Sequence, residues 1–266
     1  MKNQLIVSIF TVVAALALSL VMSAQNPPSQ PGPRQGNPGR EAAKAGADLS
    51  GIWTPSLDGH HRRFSPEDAP MQTWALELYK SNRQGVTDPY LQGLPQVDPF
   101  MYCLPSGIPR VYTAPLPFEI VQLPGRIYMI FQSDPLVRYI YTDGRNHPEG
   151  FPVTFMGHSI GKWDGDTLVV DTVGIDENTW LDTIGTPHSD ALHIVERIRR
   201  VDHDTLEINF LFEDSKAYTK TWTGRKVFKL DANWEMIPGF RCEDRFKADF
   251  SHKTLRDKKD WIEFTK

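Results

Sequence analysis

A chain of 266 residues, of which 40% are hydrophobic and 23% charged, is long enough for one large globular domain or two small ones. Its formal net charge of -4 and its lack of any basic cluster argue against a nucleic-acid partner. The sequence also contains no P-loop, dinucleotide-binding fingerprint or CxxC pair, and we expect no cofactor.

The first 47 residues are predicted to be a targeting segment followed by a linker. Residues 1–24 combine a basic residue, an apolar run over residues 5–22 and small residues at the end, which is typical of a cleaved signal peptide. An uncleaved membrane anchor is the alternative for this run. Residues 25–47 are rich in Pro, Gly, Asn and Gln, which predicts a disordered linker because little surface could be buried. We therefore expect a periplasmic or secreted protein without stable membrane insertion after cleavage, with one folded domain over residues 48–266.

The chain contains two cysteines, Cys103 and Cys242. In an oxidising compartment an even number of cysteines favours a disulfide, which would join a loop before most of the strands to the late part of the chain. Two buried free thiols are the alternative.

The folded part is predicted to begin with a short strand over residues 48–55, which contains Gly51-Ile52-Trp53. A helix is predicted over residues 65–83, because Ser65 can cap it and Pro66 suits its first turn. The Pro- and Gly-rich segment that follows predicts a long ordered loop, and such loops are often functional.

From Phe118 onward the strand signals are dense, because short apolar segments alternate with turn residues. The predicted strands cover residues 118–123, 126–132, 136–142, 156–163, 166–173, 191–201, 204–213, 219–230 and 234–241. Sequential strands joined by short turns usually pair in space, which predicts an antiparallel up-and-down meander. A meander of nine or ten strands protects its edges best by closing into a barrel with room for a small ligand. The expected fold class is mainly β, with one or two short helices.

One predicted hairpin carries the sharpest chemical feature of the sequence. Asp164-Gly165 is a strong two-residue turn signal, and a register that runs outward from it places His158 opposite Asp171. The neighbouring positions on that face, Ile160 and Val169 among them, are apolar. Within such a wall the carboxylate would orient the imidazole, and the imidazole would act as a general acid or base. A buried structural hydrogen bond between the strands is the alternative.

A second hairpin is predicted around Asp202-His203. Its register places His193 and Arg197 on the same face as the apolar side chains of the following strand, so both are expected inside the barrel. An interior arginine needs a carboxylate, and the two residues together suggest a clamp for an acidic or carbonyl-bearing ligand. A salt bridge to Glu196 or Asp190 is the alternative.

Other side chains could also contact a ligand or a metal. Tyr139 and Tyr141 share one strand face and could line the barrel as substrate-binding residues, although aromatic alternation also suits a core. His188, Asp190 and His193 supply two imidazoles and a carboxylate within six positions, which makes them weak candidates for a divalent metal. Their spacing matches no standard metal motif, and a loop entering a strand is the alternative.

Four stretches, DLSGIW, CLPSGIPR, MGHSIGKWDGDTLVVDTVG and PHSDALHIVERIRRVDHDTLEI, resemble a family of secreted soil-bacterial proteins of no assigned activity over most of the chain after Asp48. Gly51-Ile52-Trp53 resembles the first strand of lipocalins, in which the tryptophan plugs one end of the barrel. The resemblance implies a lipocalin-like, calycin-type barrel. That class includes carriers, cyclases, isomerases and hydratases, so it implies no particular function.

These features predict an enzyme that performs cofactor-independent acid–base chemistry, as a lyase, isomerase, cyclase or hydrolase, on a small and partly apolar organic molecule. His158 would transfer the proton and Asp171 would orient it, while His193 and Arg197 would hold or polarise the substrate. A lipocalin-like carrier for a hydrophobic acid is the alternative function. The sequence leaves the substrate and the oligomeric state open.

Overall fold

Nine strands close into a barrel in the computed structural model, which describes residues 47–57, 61–87, 98–102, 104–133 and 136–237. The strands are β1 (Gly51–Pro55), β2 (Phe118–Leu123), β3 (Arg126–Phe131), β4 (Val137–Tyr141), β5 (His158–Asp164), β6 (Thr167–Val173), β7 (His193–Asp202), β8 (Thr205–Glu213) and β9 (Trp222–Leu230). The helix α1 (Thr73–Thr87) and two short 3-10 helices (Pro99–Tyr102 and Arg110–Thr113) lie between β1 and β2 in the chain. The predicted mainly β barrel is confirmed.

Each strand pairs with the next one along the chain, and β9 pairs with β1 to close the barrel, with Trp53 opposite Leu230. Every pairing is antiparallel except that of β4 with β5, in which Ile140 lies opposite Ser159 in a parallel register. Parallel neighbours cannot be joined by a tight hairpin. Residues 142–157 form a long loop that makes this connection.

Trp53 is a core residue where the barrel closes. It is fully buried, and its indole N–H donates to the Leu49 carbonyl at 3.0 Å. The guanidinium carbon of Arg200 lies 5.2 Å from the centroid of its ring. The first strand is therefore held by packing and by polar contacts from elsewhere in the chain.

The barrel interior is packed with side chains that alternate along the strands, as the twofold period of a strand requires. On β6 these are Leu168, Val170 and Thr172, all buried. Tyr112, from the second 3-10 helix, packs among the core rings, with its centroid 5.5 Å from those of Phe131 and Phe210.

One ion pair lies in this interior. The Arg138 guanidinium forms a bidentate pair with the Glu196 carboxylate, and both side chains are fully buried. Arg138 also donates to the hydroxyl groups of Tyr112, Ser159 and Thr172 at 2.7, 3.1 and 2.8 Å. Burial would lower the pKa of Arg138, but the charge of Glu196 and the phenol of Tyr112 raise it above its ordinary value, so the guanidinium stays charged.

The helix begins later than the sequence predicts, at Thr73 instead of Ser65. The chain before it is not helical, and its last residues pair elsewhere: Met71 bridges to Tyr218, and the Pro70 carbonyl accepts from the Thr219 N–H at 2.8 Å. Within the part of the chain that the structure describes, no helix is long and apolar enough to cross a membrane.

Several predictions concern residues beyond the described ranges. The signal peptide (1–24), nearly all of the linker (25–47) and both cysteines, Cys103 and Cys242, lie outside them. The predicted strand over residues 234–241 is absent from its described part, residues 234–237, which form no regular structure.

Candidate active site on the outer wall of the barrel

The β5–β6 hairpin has a different register from the one that its sequence predicts. Asp164 pairs with Thr167, so the turn is Gly165-Asp166, one residue later than expected. This moves the pairing by two residues, and His158 lies opposite Val173 instead of Asp171. The predicted direct pairing of His158 with Asp171 was therefore wrong. An even shift keeps side chains on the same face, so the two residues still share one side of the sheet.

The register of the β7–β8 hairpin differs by one residue from the predicted register. This exchanges the two faces of β7 relative to the prediction. His193 pairs with Glu213 and Ile194 with Phe212, and the register shifts again near the turn, between Arg200 and Asp202. The buried, inward positions of β7 are those of Ile194, Glu196 and Ile198. The expected placement of His193 and Arg197 inside the barrel was wrong, because both lie on the outer wall.

A loop over residues 142–157 places a third histidine against this wall. Its end is fixed to the chain after β6, because the Thr154 N–H donates to the Gly174 carbonyl at 2.9 Å. Gly157 then turns the backbone into β5 with a φ of 60°, a conformation that favours glycine. The loop lays His147 and Phe151 over the outer face of β5.

Three imidazoles and two carboxylates form one chain of hydrogen bonds across β5, β6, β7 and β8. The Nδ1 atoms of His158 and His147 are 2.8 Å apart, and His147 Nε2 is 2.9 Å from Asp171 Oδ1. On the other side, Asp171 Oδ2 is 3.0 Å from His193 Nε2, and His193 Nδ1 is 2.7 Å from Glu213 Oε2. His158 and Asp171 are thus joined, but through His147.

His158 is nearly buried although it points away from the barrel interior, with only 6% of its surface exposed. The Tyr141 ring stacks on it with centroids 5.4 Å apart, and Phe151 packs against it at 4.9 Å with its plane inclined by 61°. Burial, together with the nearby His147 and Arg145, lowers the pKa of His158 below its ordinary value of 6.5. The imidazole is therefore neutral at pH 7.

The hydrogen bonds of this chain determine where the protons of His147 and His158 lie. Partial burial would raise the pKa of Asp171, but hydrogen bonds from His147 and His193 outweigh it and lower the pKa, so Asp171 is a carboxylate that can only accept. His147 Nε2 must then donate to Asp171, and in the tautomer with a single ring proton the Nδ1 atom of His147 is an acceptor. His158 Nδ1 donates to that atom, and its Nε2 keeps an unshared electron pair.

His193 occupies a different electrostatic position. Partial burial would lower the pKa of His193, but hydrogen bonds to Asp171 and Glu213 raise it above 6.5. Both ring nitrogens face carboxylate oxygens, which suits an imidazolium with two donors. A protonated His193 places a positive charge beside Asp171, on the side away from His147.

The remaining predicted substrate-binding residues also lie on the outer wall. Tyr141 belongs to the site through its contact with His158, and Tyr139 is 48% exposed beside Tyr128. Arg197 pairs with Asp164 at 2.8 Å at an exposed position, outside the chain of hydrogen bonds.

The three weak metal candidates do not meet. His188 is buried, with Nε2 2.9 Å from the Thr179 hydroxyl, while Asp190 pairs with Lys216 at 2.6 Å on the surface. His193 belongs to the cluster described above. In the described ranges no group of three or more His, Cys, Asp or Glu residues is arranged to hold a metal ion.

Sequence reasoning missed two members of the cluster, His147 and Glu213. His147 lies in the polar segment RNHPEG, and its only signal is that a connecting loop often carries functional residues. Glu213 follows directly from the pairing of β7 with β8 once the correct register is used, because it lies opposite His193.

The geometry thus defines a closed β-barrel protein with a histidine–carboxylate cluster on its outer wall. Compared with protein-family models the sequence matches none, and no curated protein matches it either.

Proposed function

We propose that this protein is an enzyme that performs cofactor-independent acid–base chemistry, as a lyase, isomerase, cyclase or hydrolase, on a small and partly apolar organic molecule. His158 is the general base, His147 orients it and Asp171 holds His147. One observation carries the proposal: the hydrogen bonds from Asp171 through His147 leave the unshared pair of His158 Nε2 free to take a proton.

The relay also accommodates the proton once it has been taken. When Nε2 of His158 is protonated, Nδ1 can pass a proton to His147, whose Nε2–H already donates to Asp171. The positive charge then lies beside a carboxylate, which favours it. The same chain run in reverse returns the proton, so the site can act as base and then as acid.

The lowered pKa of His158 sets the expected pH dependence. A base must be neutral to act, so kcat/KM should rise as the pH passes upward through a pKa below 6.5 and should then level off. A rate that falls over this interval would contradict the assignment of His158 as the base.

A non-catalytic carrier for a hydrophobic acid is the second candidate. Partly buried apolar residues on the same wall, Ile160, Val169 and Val195, would favour an apolar ligand. A ligand that co-purifies with the protein and stays chemically unchanged during incubation would support this role over catalysis.

We infer a periplasmic or secreted location from the predicted signal peptide, and a lipocalin-like relationship from Gly51-Ile52-Trp53 together with the closed barrel. The location and the lipocalin-like relationship are both proposals, as the function is. The chemistry proposed needs only side chains of this chain.

The proposal is tested with two variants and one spectroscopic measurement. In D2O, a panel of small carbon acids and hydrolysable esters is incubated with the wild type, with His158→Gln and with His203→Gln. His203 is a matched control, because it is an exposed histidine that pairs with its own aspartate, Asp204. We expect turnover or deuterium incorporation to be lost in His158→Gln and kept in His203→Gln.

Nitrogen-15 NMR of the wild type gives a readout that needs no substrate. We expect His158 to carry its proton on Nδ1 at pH 7 and to titrate below 6.5. A proton on Nε2, or a His158 that is charged at pH 7, would overturn its role as the base.

A further inference from the structure

An exposed surface of aromatic and cationic side chains adjoins His158. On β3 and β4, Tyr128 lies opposite Tyr139 and Arg126 lies opposite Tyr141. These positions alternate with buried residues such as Ile127, so all four side chains belong to the outer wall. We call Tyr128, Tyr139 and Tyr141 the tyrosine patch.

Tyr128 and Tyr139 offer a ring-binding surface within this patch. Their centroids are 5.2 Å apart and their planes are inclined by 70°, so one ring meets the edge of the other. Tyr139 is about half exposed, although an aromatic ring gains free energy from burial. An exposed cluster of this kind is typical of a contact surface for a ligand with a flat apolar part.

Two guanidinium groups border the tyrosine patch. The Arg145 guanidinium carbon is 3.8 Å from the centroid of the Tyr141 ring, and Arg126 donates from Nη1 to the Tyr128 hydroxyl at 3.0 Å. Arg145 is fixed in place by Asp143, to which it donates from Nε and Nη2. Its side chain remains 41% exposed, and its Nη1 group makes no hydrogen bond to the described residues. Arg145 can therefore still donate to a ligand.

We propose that this site binds an organic acid that carries a flat, partly apolar ring as well as a carboxylate. The carboxylate would bind Arg145, with Arg126 beside it, and the ring would pack on Tyr139 and Tyr128. A guanidinium group suits a carboxylate because its N–H donors match the spacing of the two oxygens. The inference rests on the proposed role of His158, since it adds the class of substrate to that site.

The arrangement also suits the removal of a proton from the carbon atom next to a carboxylate. His158 Nε2 takes the proton from the carbon atom beside the carboxylate, and the electron pair of the broken C–H bond forms a carbon–carbon double bond to the carboxylate carbon. The additional negative charge lies on the carboxylate oxygens, where Arg145 stabilises it. Return of a proton to the same carbon restores the acid, so exchange with water needs no further reactant.

Phenylacetate is the probe, because it has a ring, a carboxylate and one carbon atom between them. Binding to the wild type is measured by isothermal titration calorimetry and compared with acetate, which lacks the ring, and 2-phenylethanol, which lacks the charge. We expect phenylacetate to bind more tightly than either compound. Deuterium incorporation at the carbon between ring and carboxylate is followed in D2O with the same samples.

Variants identify the groups that bind. Arg145→Gln should weaken phenylacetate binding by about tenfold, since it removes a charge-assisted hydrogen bond, and Tyr139→Ala should also weaken it. Arg199→Gln is the matched control, because Arg199 is 52% exposed on the outer wall and pairs with Asp166 as Arg145 pairs with Asp143. We expect it to bind phenylacetate like the wild type.

The inference is overturned if phenylacetate does not bind, if 2-phenylethanol binds equally well, or if Arg199→Gln weakens binding as much as Arg145→Gln. Any of these outcomes leaves the proposed function to its own test, because the proton position of His158 is measured without ligand. If phenylacetate binds as expected but His158 carries its proton on Nε2, the substrate class stands and the base assignment fails.

Discussion

At the scale of single residues, the cluster shifts the pKa values of two histidines in opposite directions. His158 is shielded by rings and neutral at pH 7, whereas His193 lies between Asp171 and Glu213 and is protonated more readily. The difference arises from what each imidazole contacts, since burial alone would lower the pKa of both. The two therefore serve different purposes: one is free to take a proton, and the other holds Asp171 in its charged form.

A His193→Gln variant should show this through the pH dependence of stability. The pKa of His193 is raised in the folded state, so its contribution is present in full below the unfolded value of 6.5 and is lost as the pH rises through the folded pKa. The wild type should exceed the variant in free energy of unfolding at about pH 6, and the difference should shrink at about pH 9. Urea unfolding at both pH values measures it, and a constant difference would contradict the ion-pair assignment.

At the scale of elements, the loop over residues 142–157 determines whether the site exists, because it supplies His147, Arg145 and Phe151 to the wall. Gly157 lets the loop enter β5 closely beside the chain that follows β6. A Cβ atom at Gly157 would lie 2.7 Å from the Val173 carbonyl oxygen and 3.0 Å from Ile175. The loop cannot keep this path with any other residue at that position.

Gly157→Ala should therefore destabilise the protein more than Gly165→Ala, its matched control. Both glycines have φ near 60°, so both variants pay the same backbone strain of about 1–2 kcal/mol, but a Cβ at Gly165 meets nothing within 4 Å. The additional clash at Gly157 should cost about 1–3 kcal/mol more and loosen the His147–His158 contact. Urea unfolding and the NMR titration of His158 measure the two effects, and equal losses in both variants would show that the close approach is unimportant.

The positions and the register of the strands show how far the sequence could predict the site. The strands β2 to β8 were predicted within two residues at each end, because apolar periodicity and turn residues are local signals. The prediction for β9 began three residues too early, and the strand predicted over residues 234–241 is absent from its described part. Register depends on which turn residues sit at the tip and on a shift between Arg200 and Asp202, and neither can be derived from periodicity. A two-residue error left His158 and Asp171 on one face, whereas a one-residue error exchanged the faces of His193 and Arg197.

The outer wall was mistaken for the interior for a physical reason. Ile160, Val169 and Val195 make that face apolar, while the true interior of β7 includes Glu196. A buried charge among apolar residues contradicts the usual pattern unless its partner is known, and Arg138 is 58 residues away in the chain. His147 was missed because a loop has no periodicity from which to predict its contacts.

At the scale of the whole molecule, the interior ion pair decides how the barrel core responds to substitution. Arg138 connects β4 to β5, β6 and β7 and to Tyr112 through its hydrogen bonds. Removing one partner of such a pair leaves a buried charge without compensation, whereas replacing both partners by apolar residues removes that cost.

Arg138→Met should therefore lower the free energy of unfolding by about 3–5 kcal/mol, and a second substitution, Glu196→Leu, should recover part of the loss. Arg197→Met is the control, because its exposed pair with Asp164 contributes at most about 1 kcal/mol. Guanidinium chloride unfolding of the four proteins measures these values. A double variant less stable than Arg138→Met alone would mean that the polar contacts of Glu196 matter more than its buried charge.

In the strands that carry the site, neighbouring residues have two different roles, one in the barrel interior and one on the outer wall. On β5, Ser159 belongs to the Arg138 network while its neighbour His158 belongs to the outer cluster, and on β7 Glu196 and His193 are divided in the same way. A change in the chemistry of the outer wall therefore need not alter the residues that hold the barrel together. The same stretch of chain can acquire different side chains on its outer face without losing the fold that supports them.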